Sequence, residues 1–429
     1  GWNVARENFW KPLESVVNQF KLRGSWGELG NQNTSNLYPF YEILPVKSNS
    51  GNWLVNGGKT NTADIPSLVS TLLTWERVRS FNVGFDFGAF SNRLTGSFDY
   101  FVRKTVDMVG PAPQLPLVLG IAPAIVNNAD MKSYGFEIEL SWRDRIGEVD
   151  YGVKFNLADA QQKVVKYPNT TNAFSDWYAG KMSGEIWGYT SLGIAKTDEE
   201  MKEHLASLPN GGQNQLGNKW GAGDIMYADI NGDGKIDGGK GTLADPGDQR
   251  IIGNSTPRYN FGLVLDASYK GFDVSIFFQG VGKRDYAPIV GTNGAVFWGA
   301  VNNIWQSMAM EEHFDYFRPE GHPMGANLNG YYPRPDFTSN KNHQVQTRYL
   351  QDASYIRLKN LQIGYTLPKQ WINKLHINRC RVYVSGDNLW TGTSLASMFD
   401  PETLAAGDWG SGKTYPLSKV ISFGLNVNF

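Results

Sequence analysis

The chain ends in the stretch Ile421-Ser-Phe-Gly-Leu-Asn-Val-Asn-Phe429, in which every second residue is large and apolar. Successive side chains of a β-strand point to opposite faces of a sheet. The ending therefore predicts a strand with one strictly apolar face and one face of small or polar groups.

The same two-residue period recurs along the whole chain and predicts an all-β fold. A clear second example is the series Phe81, Val83, Phe85 and Phe87. We expect about ten strands, near residues 18–27, 75–87, 94–106, 134–143, 149–160, 257–268, 272–283, 353–366, 378–388 and 418–429.

The connections between these strands alternate between short and long without exception. The short ones are residues 88–93, 144–148, 269–271 and 367–377, and the long ones are residues 28–74, 107–133, 161–256, 284–352 and 389–417. Outer-membrane barrels have short periplasmic turns and long extracellular loops, whereas a soluble sandwich has no reason to place every long loop at one end. The pattern predicts an antiparallel transmembrane β-barrel with a wet, polar lumen, and a terminal Phe429 is typical of an outer-membrane assembly signal.

The composition excludes several other classes of protein. The 429 residues include 40 basic and 41 acidic side chains, and a net charge of −1 gives no sign of a polyanion-binding protein. The single cysteine, Cys380, excludes a disulfide scaffold and a multi-cysteine zinc site. No apolar run reaches about 18 residues, so transmembrane helices are not expected.

The long connection at residues 161–256 contains one predicted helix. Thr197 and Glu200 form a capping-box pattern ahead of residues 199–207, and Pro209 ends the helix. Because this helix lies inside a loop, it decorates the barrel and does not span the membrane.

A calcium site is predicted in the same connection, at Asp229-Ile-Asn-Gly-Asp-Gly-Lys-Ile-Asp237. Oxygen-bearing side chains stand at alternate positions with glycine at the sharp turn, which is the spacing of a calcium loop. The expected ligands of a structural Ca²⁺ ion are Asp229, Asn231, Asp233, Asp237, the carbonyl of Lys235, and Asp248 or water. The alternative is a solvated acidic turn, since Asn-Gly and Asp-Gly form turns without a metal.

Eight aromatic residues of the long loops are candidate contacts for a ligand or a partner protein. They are Trp53, Trp177, Tyr178, Trp298, Trp305, Tyr331, Tyr332 and Trp409. These side chains could stack on sugar rings or other ligands, or pack the loops against each other or against a partner. The sequence alone leaves these interpretations open.

Two alternative functions remain at this stage. Glu311, Glu312 and Asp315 would suit a glycoside hydrolase, although the sequence positions no pair of carboxylates across a sugar. A soluble or surface carbohydrate-binding all-β protein is the second alternative, and the one-sided long loops argue against it. We expect no enzymatic activity.

Several stretches resemble the SusC/RagA type of TonB-dependent outer-membrane transporter. They are Leu22-Arg-Gly-Ser-Trp-Gly-Glu-Leu-Gly-Asn-Gln-Asn33, Gly223-Asp-Ile-Met-Tyr-Ala-Asp-Ile-Asn-Gly-Asp-Gly-Lys-Ile-Asp237, Arg250-Ile-Ile-Gly-Asn254 with Pro257-Arg-Tyr-Asn-Phe-Gly262, Tyr355-Ile-Arg-Leu-Lys-Asn-Leu-Gln-Ile-Gly-Tyr365, Arg381-Val-Tyr-Val-Ser-Gly-Asp-Asn-Leu389, Asp400-Pro-Glu402 and the ending at residues 415–429. The motifs spread over nearly the whole chain, and their combination is specific to this family.

The resemblance implies a function and a location. Such transporters lie in the outer membrane of Gram-negative bacteria, pair with a SusD-like surface lipoprotein and import oligosaccharides or peptides with energy from TonB. It also implies that this sequence is the C-terminal part of the barrel. The plug, the segment that contacts TonB and the first strands would then lie outside it.

Overall fold

The computed structural model describes residues 1–32, 38, 40–66, 68–112, 115–116, 118, 120–121, 123–288, 297–299, 310–336, 341–372, 376–404 and 415–429. In chain order its strands are β1 (Trp2–Asn3), β2 (Val17–Asn31), β3 (Val46–Lys47), β4 (Leu54–Val55), β5 (Gly58–Lys59), β6 (Thr62–Ala63), β7 (Glu76–Ala89), β8 (Leu94–Gly110), β9 (Val126–Ile146), β10 (Val149–Lys166), β11 (Glu185–Gly188), β12 (Ser191–Ile194), β13 (Ile225–Tyr227), β14 (Arg250–Asn254), β15 (Arg258–Tyr269), β16 (Phe272–Lys283), β17 (Asp285–Tyr286), β18 (Gln351–Asp352), β19 (Tyr355–Thr366), β20 (Arg379–Thr393) and β21 (Val420–Asn428). The α-helices are α1 (Asp198–Ala206) and α2 (Lys369–Ile372), and 3-10 helices cover Val4–Arg6, Asn8–Leu13 and Glu311–Phe314. No helix in these described ranges has the length and apolarity needed to cross a membrane.

One antiparallel sheet of eleven strands forms the wall of the molecule. Its order is β1-β2-β7-β8-β9-β10-β15-β16-β19-β20-β21, so each long strand pairs with the next long strand along the chain. Each of the ten predicted strands coincides with a long strand of this sheet, which confirms the predicted all-β fold. The additional strand β1 has only two residues, and two residues carry no readable alternation.

The hairpin of β9 and β10 is longer than predicted. These strands have 21 and 18 residues, whereas a strand needs about 9–11 residues to cross a membrane. The apolar alternation fades where both faces of a strand meet water, although the backbone remains paired. The connection predicted at 161–256 therefore begins at residue 167.

The strand register sorts the wall into an apolar outer face and a polar inner face. One row across the sheet is almost entirely apolar: Phe20, Phe87, Gly96, Leu140, Phe155, Leu263, Phe278, Leu358 and Trp390. The adjacent row, which faces the other way, is mainly polar: Lys21, Asp86, Ser97, Glu139, Asn156, Gly262, Gln279, Arg357 and Thr391. Lipid outside and water inside produce this pattern in a transmembrane barrel.

The short turns lie at one end of the wall. Lys270 and Gly271 join β15 to β16 with backbone φ angles of 46° and 91°. Two successive positive φ angles are required by the tightest hairpin turns, whose twist matches that of the strands. A turn of this length carries no additional structure, whereas the longer β19–β20 connection at the same end contains helix α2.

The long connections at the other end pack into a region that we call the loop cluster, comprising residues 167–257, 284–288, 297–299, 310–336, 341–354 and 394–404. Three separate connections supply its hydrophobic core, which consists of Tyr189, Leu208, Ile225, Tyr227, Ile236, Phe297, Trp298, Tyr332, Tyr349, Ala353, Leu395, Phe399 and Leu404. The loop cluster is therefore folded like a small globular domain on top of the barrel wall.

Helix α1 belongs to the loop cluster and confirms the predicted N-cap at Thr197, while the second bond of the predicted capping box goes to the residue before the N-cap. The Thr197 hydroxyl accepts the Glu200 backbone N–H at 3.1 Å, and the Glu200 carboxylate accepts the N–H of Lys196 at 2.6 Å. The helix begins and ends one residue earlier than predicted. Met201 fixes it to the loop cluster because its side chain is buried.

The connection between β2 and β7 has a different character, and we call its described residues 38, 40–66 and 68–75 the apolar connection. It forms two short ribbons, β3 with β6 and β4 with β5. Its large apolar side chains are exposed: Tyr38, Phe40, Tyr41, Ile43, Leu44, Val46, Trp53, Leu54, Val55, Ile65, Leu68, Leu72 and Trp75.

Candidate functional site

Ion pairs on the inner face of the wall bridge two strands across a third. Arg23 on β2 pairs with Asp99 on β8 at 2.7 Å, across Gly84 on β7. A Cβ atom at Gly84 would lie 2.4 Å from the Asp99 carboxylate, so only glycine leaves room for this pair. Arg381 and Asp273 form a similar bridge farther along the sheet. The inner face is thus charged and held by side chains from several strands.

A hollow of about 620 Å³ opens on the inner face, toward the short turns. Its polar lining includes Asp86, Ser97, Glu139, Lys154 and Asn156. The lining combines both signs of charge with hydroxyl and amide groups. Such a surface suits the passage of polar solutes with their water and selects no single charge class.

The motif Asp400-Pro-Glu402 anchors the last long connection to the inner face. Arg357 on β19 is only 4% exposed, and its guanidinium group lies 2.9 Å from Asp400 and 3.0 Å from Glu402. Lys359 holds the second oxygen of Glu402 at 3.0 Å. Burial opposes ionisation of Asp400, but N–H groups of Glu402 and Leu417 together with Arg357 hold its pKa below the usual value. The sequence motif is therefore a structural anchor between loop and wall.

A buried ion pair joins two connections of the loop cluster. Asp224 is fully buried, and its carboxylate lies 3.0 Å from the ammonium group of Lys341, which is 1% exposed. Arg334 donates to both Asp224 oxygens at 2.7 and 2.6 Å, and the Asn342 amide donates at 2.9 Å. The sequence analysis missed this group because its partners lie 110–118 positions apart.

The structure places Trp298 and Tyr332 in the core of the loop cluster. They are 1% and 2% exposed, so they pack the loops against each other. Contact with a ligand is excluded for these two side chains in this conformation, and the packing interpretation applies. Tyr331 is half-buried, and its hydroxyl accepts the Gln351 amide at 2.9 Å.

The remaining candidate aromatics are distributed over both loop regions. Trp53 of the apolar connection is 60% exposed and Trp177 of the loop cluster is 40% exposed, so both are open to a partner or ligand. Burial raises the pKa of Tyr178 to about 12, and its hydroxyl donates to Glu185 at 2.5 Å. Trp305 and Trp409 lie outside the described residues.

The predicted calcium loop folds around its own carboxylates. Asp229 accepts the backbone N–H groups of Gly232 and Gly234 at 2.7 and 2.8 Å. The Lys235 ammonium group bonds to Asp237 and thereby lowers the pKa of that carboxyl group. Carboxylate and amide oxygens are the ligand type that a hard cation such as Ca²⁺ prefers. In this conformation, however, the Lys235 ammonium group already neutralises part of their charge.

Two other predicted ligands, Asn231 and Asp233, also bond within the loop. The Asn231 side chain accepts the N–H of Asp233 at 3.0 Å, and the Asp233 carboxylate accepts the N–H of Lys235 at 3.2 Å. Across the part of the chain that the structure describes, no group of three or more His, Cys, Asp or Glu side chains is arranged to hold a metal ion. Calcium binding therefore stays a prediction.

Asp248, which the prediction offers with water as a completing ligand, bonds to the backbone of the loop in this conformation. Its carboxylate is fully buried and accepts the N–H groups of Ile230 at 2.8 Å and Asp237 at 2.9 Å. Burial raises the pKa of this carboxyl group. In this conformation Asp248 is an internal cap that fixes the ends of the loop.

Two of the three carboxylates considered for glycoside hydrolysis have structural partners. Glu312 accepts the Ser397 hydroxyl, and Asp315 accepts the Asn327 amide at 2.9 Å. Glu311 is an exposed first residue of a 3-10 helix. These contacts hold loops in place and give no support to the hydrolase alternative.

Comparison with known proteins agrees with this architecture. Residues 8–389 match the sequence model of the family described as TonB dependent receptor-like, beta-barrel. The chain belongs to the TonB-dependent receptor β-barrel family. It is similar to TonB-dependent receptor P3 of Formosa agariphila, with 29% identity over 458 residues that cover 100% of this chain and 41% of that protein.

More distant members of the family share the fold. TonB-dependent receptor SusC of Bacteroides thetaiotaomicron is 22% identical over 445 residues, covering 100% of this chain and 39% of SusC. The solved structure of the RagAB peptide transporter superposes with a TM-score of 0.72 at 22% identity, covering 100% of this chain and 42% of that one.

These findings confirm the resemblance, the transmembrane barrel and the outer-membrane location. The relatives are receptors, which agrees with the expected lack of enzymatic activity. The chain spans about two fifths of the length of the curated relatives it matches.

Proposed function

We propose that this chain forms part of an importer that carries oligosaccharides or peptides across the outer membrane with energy from TonB. The observation that carries the proposal is the two-faced wall of a TonB-dependent receptor barrel, whose inner face is polar and charged. Such a wall separates lipid from a wet passage. The loop cluster lies at the end where solutes enter from outside the cell.

The substrate class stays open between peptides and oligosaccharides. RagAB is a peptide transporter, and its likeness to this chain at 22% identity concerns the fold alone. The mixed lining of the inner hollow accepts the polar groups of either class. A substrate must therefore be identified by uptake.

Uptake can be tested by deleting the gene in the producing bacterium and restoring it on a plasmid. Fluorescent peptide pools and oligosaccharide pools are offered separately to both strains, with a protonophore as the control for energy coupling. We expect the restored strain to accumulate one class and to lose this uptake when the protonophore is present. Equal accumulation by the deleted and restored strains for both classes would refute the import function.

We further propose that a SusD-like lipoprotein covers the long-connection end. The exposed side chains of the apolar connection support this proposal, because a stable protein interface buries about 1,000 Å² or more around an apolar centre. Purification in mild detergent, followed by mass spectrometry, should recover a lipid-anchored companion in constant ratio. Consistent recovery of the barrel without any companion would contradict it.

We propose, finally, that Ca²⁺ binds residues 229–237 in a structural role. The spacing of the oxygen ligands and the wrapped Asp229 turn support it, and the Lys235 ammonium group would have to leave Asp237 when the ion enters. The expected affinity is low because position 12 of the loop is Lys240 and not glutamate.

A further inference from the structure

One outward-facing row of the wall consists almost entirely of cations. In register across β7, β8, β9 and β10 stand Arg79, Lys104, Lys132 and Lys163. From this row we infer a binding site for the anionic, phosphate-bearing headgroup of a lipid in the outer leaflet of the membrane. We call these four residues the basic row.

The position of the basic row on the wall suits a headgroup. The neighbouring row on the same face, one step toward the short turns, is mostly apolar: Trp26, Phe81, Val102, Tyr134 and Gln161. Two residues along a strand span about 7 Å, so the cations lie just past the edge of the apolar belt. The long connections begin beyond them, on the side that faces out of the cell. The basic row therefore lies at the level of the outer leaflet's headgroups.

The charges of the basic row are poorly compensated by the protein. Glu28 pairs with Arg79 at 2.6 Å at one end of the row. No carboxylate among the described residues forms an ion pair with Lys104, Lys132 or Lys163, and Lys104 and Lys163 are exposed. Like charges directly opposite each other on neighbouring strands destabilise a sheet. An external anion lying along the row would remove this repulsion.

The basic row and the apolar belt together match an amphipathic ligand. Lys132 lies with its ammonium group 5.1 Å from the Tyr134 ring centre, which places a cation directly above an aromatic side chain of the belt. Acyl chains would lie against Phe81, Val102 and Tyr134 while the phosphate groups contact the lysines. A free phosphate ion would make no favourable contact with the apolar half of this site. We therefore assign the site to a lipid.

The test uses the protein purified from its own membrane in mild detergent. Binding is measured with phosphatidylcholine vesicles containing lipid A, whose headgroup carries phosphate monoesters, and with vesicles of phosphatidylcholine alone. The triple variant Lys104→Gln, Lys132→Gln, Lys163→Gln should bind the lipid A vesicles about a hundredfold more weakly than the unaltered protein, at about 1 kcal/mol per basic residue near a membrane surface. The corresponding lysine-to-arginine triple variant should retain binding.

A matched control removes the same charge elsewhere. Lys59, Lys202 and Lys369 are exposed lysines away from the basic row, and their replacement by glutamine should leave lipid A binding unchanged. Resistance of the folded barrel to SDS at room temperature verifies that each variant is folded. Equal loss of binding in the basic-row glutamine variant and in the control glutamine variant, or no loss in either, would overturn the proposal. Competition by inorganic phosphate as strong as that by lipid A would also overturn it, because the site would then bind a free anion.

Discussion

The wall directs its apolar side chains outward, whereas the loop cluster directs them toward its own centre. On the wall, Phe423 points outward and is 85% exposed in the isolated chain, while charged pairs such as Arg23 with Asp99 line the inside. In the loop cluster, Trp298 is 1% exposed and lies in the centre. The same chemical rule explains both regions, since apolar groups avoid water and the wall alone has lipid outside.

The apolar connection fits neither pattern. It lies at the water-facing end, as the loop cluster does, and yet exposes Tyr41, Trp53 and Leu72 at 63%, 60% and 86%. Large exposed apolar patches at a protein surface mark sites of interaction. The comparison indicates that the described part of the loop cluster packs on itself, whereas the described part of the apolar connection leaves its large apolar side chains exposed, which suits the proposed partner.

The largest expected effect concerns the centre of the loop cluster. Asp224→Ala removes the carboxylate that lies 3.0 Å from the buried Lys341 ammonium group and leaves it with Asp336, at 3.7 Å, which should cost about 3–5 kcal/mol of local stability. Hydrogen exchange of the β13 amides, residues 225–227, measures this loss. Asp176→Ala, at an exposed carboxylate of the same connection, should change stability by about 0.5 kcal/mol at most. Unchanged β13 exchange in Asp224→Ala would show that the buried pair does not hold the loop cluster together.

A somewhat smaller effect is expected on the outer face of the wall. Phe423→Arg should destabilise the inserted barrel by about 2–4 kcal/mol, because arginine near the bilayer midplane meets lipid. Ser422→Asn on the inner face of the same strand should insert normally. The yield of heat-modifiable barrel in outer-membrane fractions distinguishes the two variants. Equal yields would mean that the two faces of β21 have been assigned wrongly.

The wall could be predicted from sequence because its alternation is local. The series from Ile421 to Phe429 carries its own evidence for a strand, and the same holds for the other nine long strands. The packing of the loop cluster could not be predicted from sequence, because Asp224 contacts Lys341 only after two connections fold together. No local feature of the sequence distinguishes the buried Trp298 and Tyr332 from the exposed Trp53. Only tertiary packing separates core aromatic residues from surface ones.

The third effect tests the apolar connection against a partner protein. Replacing Phe40, Tyr41 and Trp53 by serine should weaken recovery of the companion lipoprotein at least tenfold, since exposed aromatics dominate binding energy at interfaces. Stability of the barrel should be nearly unchanged, because these side chains contact water in the isolated chain. Trp371→Ser, at a 64% exposed tryptophan of helix α2 at the short-turn end, is the control. Companion recovery that falls only together with barrel stability would contradict an interface role.

The smallest effect concerns calcium and the edge of the loop cluster. With a dissociation constant of about 10⁻⁴–10⁻³ M, about 1 mM Ca²⁺ would stabilise residues 229–237 by only about 0.4–1.4 kcal/mol. Calcium titration followed by hydrogen exchange should slow exchange in this segment, and EGTA should reverse the change. Asp233→Ala should abolish the calcium response, because it removes an oxygen ligand while the caps made by Asp229 and Asp248 remain. Asp245→Ala, which removes a nearby carboxylate outside the proposed ligand set, should keep the response. An equal response in both variants would mean that calcium acts on the overall negative charge of the loop and not at this site. No response in the unaltered protein would mean that the Lys235 ammonium group is the cation of the loop.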